Sequence, residues 1–178
     1  MSTDQATRRP RPALVRPLLG RAPAPPAPSA LLHATGASIS ILLLLVTAGA
    51  VLHEPILIPP LAATAALVHS APTLPLAQPR SVIGGHLLSA LTGLLVQAGL
   101  GHSPWAAALA GGLALGVMMI TRTPHSPAAA TAVIIVLQSP PPVRFLTLLC
   151  LATVMVVVSG VVATRTKRTA HRYPAYWW

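Results

Sequence analysis

The sequence predicts an all-α, polytopic membrane helix bundle, and its composition and apolar runs carry that prediction. Hydrophobic residues make up 53% of the 178 residues and charged residues only 8%, whereas a soluble domain is about a quarter charged. The mean hydropathy is +0.70. So few charges could not cover a globular surface in water, so we expect lipid to be the solvent around most of the chain.

Four apolar runs approach or reach the length of about 20 residues that a helix needs to cross the hydrocarbon of a bilayer. They cover residues 31–52, 82–100, 105–120 and 145–162. We therefore predict four long transmembrane helices.

Two further apolar segments, residues 60–70 and 128–137, are too short to span as ordinary helices. Prolines interrupt the chain just before them, at Pro59 and Pro60 and again at Pro124 and Pro127, and proline does not fit inside a helix. At 1.5 Å per residue a helix of about 11 residues covers about 16 Å, roughly half a bilayer. We predict two short membrane segments, each broken by proline.

The two short segments resemble each other. Residues 60–65 read PLAATA and residues 127–132 read PAAATA, which aligns Thr64 with Thr131. Each segment follows one long helix and precedes another. We therefore predict two similar units, residues 31–100 and 101–163, and an inverted relation between them, as in many transporters.

Basic residues flank the apolar region on both sides. Residues 1–30 form a Pro-rich basic segment that we expect to be a disordered cytoplasmic tail, and residues 164–178 form a second basic cytoplasmic tail. If both short segments cross the membrane, Arg80 and Arg122 lie on the side of the tails and Arg144 opposite. If both re-enter, all three arginines lie opposite the tails. The positive-inside rule favours six crossings in a cell membrane. It also explains the net charge of +10 without a nucleic-acid partner.

The polar residues favour an anion or a small neutral solute over a cation. The sequence has two carboxylates, Asp4 and Glu54, so it predicts no metal site, no cofactor and no enzymatic centre. Helix N-termini present free N–H groups and partial positive charge. We predict a solute site at the two short helices, with Ser126 as an N-cap and Pro127 in the first turn. The residues assigned to this site are Pro60, Thr64, Arg80, His86, His125, Ser126, Pro127 and Thr131.

The same residues have a structural interpretation, in which the prolines shape the bundle, Arg80 sets the topology and His86 bonds a neighbouring helix. The third run shows this ambiguity, because His86, Ser89, Gly93 and Gln97 share a face. Gly85, Ser89 and Gly93 form a small-residue ladder at four-residue spacing, and Ala108, Gly112 and Gly116 repeat it. Such ladders allow close helix packing in lipid.

Residues 76–90, LAQPRSVIGGHLLSA, resemble the HPP family of integral membrane proteins. Residues 60–65 resemble the family's proline-Gly-Ala-Ser stretch, with Ala62 where glycine is usual. The name-giving His-Pro-Pro motif falls on His125, Ser126 and Pro127, so Ser126 replaces the central proline. The resemblance covers about residues 31–163. It implies a protein of about four spans in which transport is suspected, and plant and cyanobacterial members are associated with nitrite.

These observations together lead to a transporter or channel for a small anion, with nitrite as a candidate, as the leading hypothesis. One protomer has few helices to enclose a pathway, so we expect a homo-oligomer, with a dimer as the simplest form. The alternative hypothesis is a membrane scaffold or regulatory subunit that transports nothing.

Overall fold

The computed structural model describes residues 26–54, 56–166 and 172–177, and over these ranges it is helical with no strand. The all-helical prediction is confirmed. The predicted N-terminal tail lies largely outside the described residues. The six α-helices are α1 (Pro28–Leu52), α2 (Pro59–Ser70), α3 (Gly85–Leu100), α4 (Pro104–Ile120), α5 (Ser126–Gln138) and α6 (Pro142–Thr166).

Proline marks where most of these helices begin. It occupies the first or second position of α1, α2, α4 and α5, and α6 starts at Pro142. Proline is tolerated in a first turn because the missing N–H would have no partner within the helix there. The abundance of proline, 20 residues in the sequence, therefore divides the apolar chain into separate helices.

α3 begins differently, because a π-helical turn at Arg80–Gly84 runs directly into it. The continuous helical stretch Arg80–Leu100 has 21 residues. Together with α1 and α6 it is long and apolar enough to cross a membrane. α4, predicted as a fourth long span, has 17 residues and is shorter than these three.

The two short helices remain short in the structure. α2 has 12 residues and α5 has 13, which correspond to about 18–20 Å at 1.5 Å per residue. The prediction for the start of α5 was wrong in detail. Its N-cap is His125, in an extended conformation, while Ser126 is the first helical residue and is exposed. The ring of His125 does not cap the helix because it is directed into the bundle.

The third helix of each predicted unit packs against the first two helices of the other unit. α3 packs most extensively against α4 and α5, whereas α6 packs against α1 and α2. One apolar cluster includes Leu45, Leu61 and Val156, and a second includes Ala110 and Ala132. Each short helix, α2 and α5, therefore follows and precedes a longer helix along the chain, and α3 and α6 each pack on the helix pair of the other predicted unit.

Contacts between α1 and α6 show that these helices are antiparallel. Near the start of α1, His33 Nε2 lies 3.1 Å from the carbonyl oxygen of Ala163. Beyond the other end of α1, Glu54 forms an ion pair with Arg144. The N-terminus of α1 and the C-terminus of α6 therefore lie at one end of the bundle, which we call the tail end.

Residues 172–177, within the predicted C-terminal tail, pack against the bundle. Tyr173 is buried against Gly160, where an added Cβ would lie 2.8 Å from the ring. The side-chain oxygen of Gln78 accepts the N–H of Ala175 at 2.9 Å. The segment 172–177 thus covers the tail end beside the π-helical turn.

The small-residue ladder of α3 packs as predicted, and that of α4 does not. A Cβ on Gly93 would lie 2.9 Å from both Cα and the carbonyl oxygen of Ala132 on α5. Gly112 and Gly116 are exposed, and a Cβ on either would meet nothing within 4 Å. The close approach therefore joins α3 to α5.

We expect Gly93→Ala to destabilise the bundle, because the added methyl group would press on the backbone of α5, which cannot turn away as a side chain can. Overpacking of this kind costs about 1–3 kcal/mol. Thermal unfolding in detergent measures the effect, with Gly116→Ala as the matched control because its methyl group enters open space. Equal midpoints for the two variants would contradict the close α3–α5 contact.

Candidate functional site

Four polar side chains meet inside the helix bundle and form one hydrogen-bonded cluster. Thr64 lies on α2, His86 on α3, Thr131 on α5, and His125 is the N-cap of α5. Each has 0% of its surface exposed. We call these four residues the histidine cluster. Ionisable groups inside a membrane protein are costly and are usually functional, so the cluster is the first candidate site.

His86 is held between the two threonines that the repeat aligns. Its Nε2 lies 2.9 Å from Thr64 Oγ1, and its Nδ1 lies 2.9 Å from Thr131 Oγ1. Both threonines stand four residues after the proline that opens the repeated sequence. The two short helices thus present equivalent hydroxyl groups to opposite edges of one imidazole ring.

His125 completes the cluster from the α4–α5 connection. Its Nδ1 lies 2.7 Å from the carbonyl oxygen of Leu76, and its Nε2 lies 2.9 Å from Thr64 Oγ1. The centroids of the two imidazole rings are 5.1 Å apart. The missing side chain of Gly85 leaves the space that His125 occupies, because a Cβ on Gly85 would lie 2.9 Å from the Cβ of His125.

Thr64 has the most contacts in the cluster. Besides the two imidazoles, its hydroxyl bonds the carbonyl oxygen of Pro60 one turn back, at 2.8 Å.

Ser89, three residues after His86 on α3, is also fully buried, and its hydroxyl has no hydrogen-bond partner among the described residues. A buried hydroxyl without a partner marks a place for water or a polar solute.

A positively charged cavity of about 480 Å³ lies beside the cluster at the tail end. Its lining residues are Pro75, Arg80, Ser81, Met119, Arg122, Pro124 and Tyr176. Arg80 Nη2 donates to the carbonyl oxygen of Thr121 at 2.9 Å, and Arg122 is exposed. Pro124 directly precedes His125, so two consecutive residues line the cavity and belong to the cluster, respectively. We call this space the arginine cavity.

The arginines are distributed between the two ends of the bundle as the six-crossing alternative expects. Tyr176 of the returning C-terminal segment lines the arginine cavity with Arg80 and Arg122, which places both arginines at the tail end. Arg144 pairs with Glu54 at the opposite end.

The predicted site residues fall into three groups. Thr64, His86, His125 and Thr131 are in direct contact, with Pro60 as the carbonyl partner of Thr64. Arg80 lines the neighbouring cavity. Ser126 is exposed and Pro127 half-buried, and no side-chain hydrogen bond joins either to the cluster in the part of the chain that is described.

The predicted role of free N–H groups at the two helix ends is not supported at α2. Pro59 and Pro60 have no N–H, and the N–H of Leu61 donates to the carbonyl oxygen of Ile58. At α5 the N–H of Ala128 donates to the carbonyl oxygen of His125. The prolines at the starts of the short helices remove two N–H donors at α2 and one at α5, so we assign most of the polarity of this site to side chains.

Sequence reasoning missed Arg122 and the carbonyl group of Leu76. Arg122 entered only the topology argument, although its position three residues before His125 could have indicated the cavity. The contact of Leu76 with His125 joins residues 49 positions apart, and no pattern in the sequence predicts it. No group of three or more potential metal ligands is found among the described residues.

A second groove of about 880 Å³ lies between α1 and α6 and is lined mainly by aliphatic side chains. His69 borders this groove, and its Nδ1 lies 2.8 Å from the carbonyl oxygen of Ala65. The members of the histidine cluster do not line this groove.

Comparison with known proteins identifies the family. The profile of the HPP transmembrane region matches residues 22–174. The chain belongs to the HPP family. The matched region includes every helix and both short segments, so the histidine cluster lies inside the family's transmembrane region.

Two curated relatives from Dictyostelium discoideum are named as transmembrane proteins. One is 35% identical over 132 residues, which cover 69% of this chain and 46% of the relative. The other is 33% identical over 126 residues, which cover 66% of this chain and 40% of the relative. The HPP chain described here thus matches less than half the length of either. No solved structure matches it.

We expect Thr64→Val to destabilise the HPP bundle, because valine would leave the ring nitrogens of both histidines facing an apolar group. An unsatisfied buried polar group costs about 1–3 kcal/mol. The unfolding midpoint in detergent should fall for Thr64→Val and stay near the parent value for Thr47→Val. Thr47 is an exposed residue whose hydroxyl bonds only its own helix. Equal midpoints would show that the cluster does not form.

Proposed function

We propose that this HPP-family protein is a transporter or channel for a small anion, with nitrite as the first substrate to test. The observation that carries the proposal is the arginine cavity, which opens at the tail end and adjoins the buried histidine cluster. It offers a charged place to collect an anion and a polar place within the bundle to receive it.

The charges around this site favour an anion over a cation. Arg80 and Arg122 line the cavity, and no acidic residue lines it. The carboxylate of Glu54, the one acidic residue in the described ranges, is paired with Arg144 at the other end of the bundle. A cation in the cavity would meet two positive charges, and no compensating group lines the cavity among the residues that the structure describes.

The shape of the arginine side chain favours small planar oxyanions. A guanidinium group can donate two parallel N–H bonds to a planar anion such as nitrite, nitrate or a carboxylate. Water occupies about 30 Å³ per molecule. A cavity of about 480 Å³ therefore has room for a small anion with part of its hydration shell.

The polar groups continue beyond the cavity. From Arg80 to His86 the helix advances by roughly 9 Å at 1.5 Å per residue, and Ser89 follows on the same face of α3. The unpartnered hydroxyl of Ser89 extends the polar series past the cluster, toward the end that carries Glu54. This order supports a pathway along α3, between the two short helices.

The same proposal includes the arrangement in the membrane. We propose that the two units are inverted repeats, that the tail end faces the cytoplasm and that the protein works as a homodimer in the cell membrane. The exchange of third helices and the equivalent contacts of Thr64 and Thr131 on His86 support the repeat. The excess of arginine at the tail end supports the orientation.

Uptake of nitrite by protein-containing liposomes tests the proposed function. We expect uptake above that of empty liposomes and a strong reduction by Arg80→Gln, because a hydrogen bond to a charged group contributes about 1.5–3 kcal/mol. That loss corresponds to an affinity about ten- to a hundred-fold weaker. Arg165→Gln is the matched control, because it removes the same charge from an exposed position near the tail end that does not line the cavity.

The anion panel should contain nitrite, nitrate, formate and chloride. Empty liposomes correct for nitrous acid, the neutral form that crosses a bare bilayer. If no anion of the panel enters faster than into empty liposomes, the transport proposal fails and the scaffold hypothesis becomes the better one. If Arg165→Gln reduces uptake as much as Arg80→Gln, general surface charge and not the arginine cavity attracts the anion.

A further inference from the structure

We propose that the histidine cluster binds one proton together with the anion, so that the protein carries anion and proton as a neutral pair. This inference rests on the proposed function and adds a second substrate to it. It comes from counting the protons that the contacts of the cluster require.

The cluster makes five close polar contacts. Thr64 Oγ1 contacts the carbonyl oxygen of Pro60, His86 Nε2 and His125 Nε2, while His86 Nδ1 contacts Thr131 Oγ1 and His125 Nδ1 contacts the carbonyl oxygen of Leu76. Each hydrogen bond requires one proton between its two heavy atoms. With both imidazoles neutral, each ring and each threonine hydroxyl supplies one, which makes four protons for five contacts.

The carbonyl groups decide where the missing proton lies. A carbonyl oxygen only accepts, so Nδ1 of His125 donates to Leu76, and Nε2 of a neutral His125 then carries no proton. The single hydroxyl proton of Thr64 would have to serve both the carbonyl oxygen of Pro60 at 2.8 Å and Nε2 of His125 at 2.9 Å. One of these two contacts would be left as two facing lone pairs.

One added proton at Nε2 of His125 removes this conflict. The imidazolium of His125 then donates to Leu76 and to Thr64, and Thr64 donates to Pro60. His86 donates from Nε2 to Thr64 and accepts at Nδ1 from Thr131. All five contacts have one proton each, with Thr64 accepting twice and donating once, which a hydroxyl group can do. The heavy-atom positions therefore match the singly protonated cluster.

The described residues around His125 provide no counter-charge for this proton. The ionisable side chains on the described elements packed around it are His69 on α2, Arg80 in the π-helical turn, His86 on α3, Arg122 before α5, Arg144, Cys150 and Arg165 on α6, and Arg172, Tyr173 and Tyr176 in the segment 172–177, while α4 and α5 have none. None of them is a carboxylate. A buried positive charge without a partner is strongly disfavoured.

An anion in the neighbouring arginine cavity supplies the missing negative charge. Pro124 lines that cavity and His125 follows it in the chain, so proton and anion occupy adjacent places. Each stabilises the binding of the other, and by linkage the effect is reciprocal. A proton from water at the tail end bonds to the Nε2 lone pair of His125, and the same bond breaks when proton and anion leave to water at the other end. No bond within the anion changes.

Coupling is tested in the liposomes used for the proposed function, with the proton gradient and the membrane potential imposed separately. Potassium and valinomycin set the potential, and nitrate serves as the main probe because its acid form does not cross bare bilayers. An inward proton gradient of about two pH units should raise the initial rate of anion uptake several-fold and permit accumulation up to about a hundred-fold. An inside-positive potential should have little effect, because the pair is neutral.

The variants His125→Gln and His102→Gln separate the cluster from other histidines. Glutamine cannot hold a proton at this position, so His125→Gln should lose the response to the proton gradient. His102 is exposed at the turn between α3 and α4, and its variant should keep the response. Thermal unfolding of both variants shows whether each is folded.

Nitrogen-15 spectra of the histidine rings in lipid decide the inference even if His125→Gln does not fold. We expect the parent protein in mildly acidic nitrate to show one buried imidazolium, and in anion-free neutral buffer to show two neutral rings. Rings that stay neutral while nitrate is taken up would overturn the inference. Uptake that follows the potential and ignores the proton gradient would also overturn it and leave anion transport standing, whereas uptake of no anion would refute the proposed function itself.

Discussion

The hydrogen bonds of His86 to Thr64 and Thr131 hold together the three helices on which the centre of the bundle depends. A polar side chain that faces lipid without a partner costs several kcal/mol, so α2, α3 and α5 keep these residues in contact once the helices are inserted. Leucine and alanine contacts are nearly as favourable with lipid as with another helix. The polar contacts therefore determine which faces of the helices meet, which apolar packing alone does not do.

The close approach of backbones makes this polar centre geometrically possible. Gly85 and Gly93 on α3 leave space for His125 and for the backbone at Ala132, which brings Thr131 in the second turn of α5 within reach of His86. The π-helical turn at Arg80–Gly84 precedes this contact and joins the arginine cavity to the polar face of α3. Such turns are frequent at functional sites. The close glycine contacts, the arginine cavity and the histidine cluster therefore all lie at the first half of α3 or directly before it.

Much of this arrangement was predictable from the sequence, and the rest depends on contacts between distant residues. Apolar runs and prolines place the helix starts to within a few residues, because hydrophobic length and the missing N–H of proline act locally. The alignment of residues 60–65 with 127–132 pointed to Thr64 and Thr131 as equivalent positions. It could not show that both bind one histidine, because that follows from the way α2, α3 and α5 pack together.

The errors have a common physical origin. Ser126 was expected as an N-cap on local preference alone, but His125 takes that position, and from its extended backbone its ring reaches Leu76 and Thr64. The return of residues 172–177 was missed because it depends on a groove at Gly160 and on Gln78. Local sequence therefore predicts where helices begin, whereas the partners of polar groups are set by tertiary structure.

The two ends of the bundle differ in charge, and this difference gives the proposed pathway a direction. At one end Glu54 neutralises Arg144. At the tail end Arg80 and Arg122 line an open cavity that no acidic residue of the described ranges lines, and the exposed Arg165 adds to the positive charge. An anion is therefore attracted to the tail end over roughly a Debye length, about 8 Å at physiological ionic strength. Once an anion has reached the cavity, short-range contacts with side chains determine where it binds. The histidine cluster is the first group of hydrogen-bonded side chains that an anion moving from the cavity into the bundle would meet.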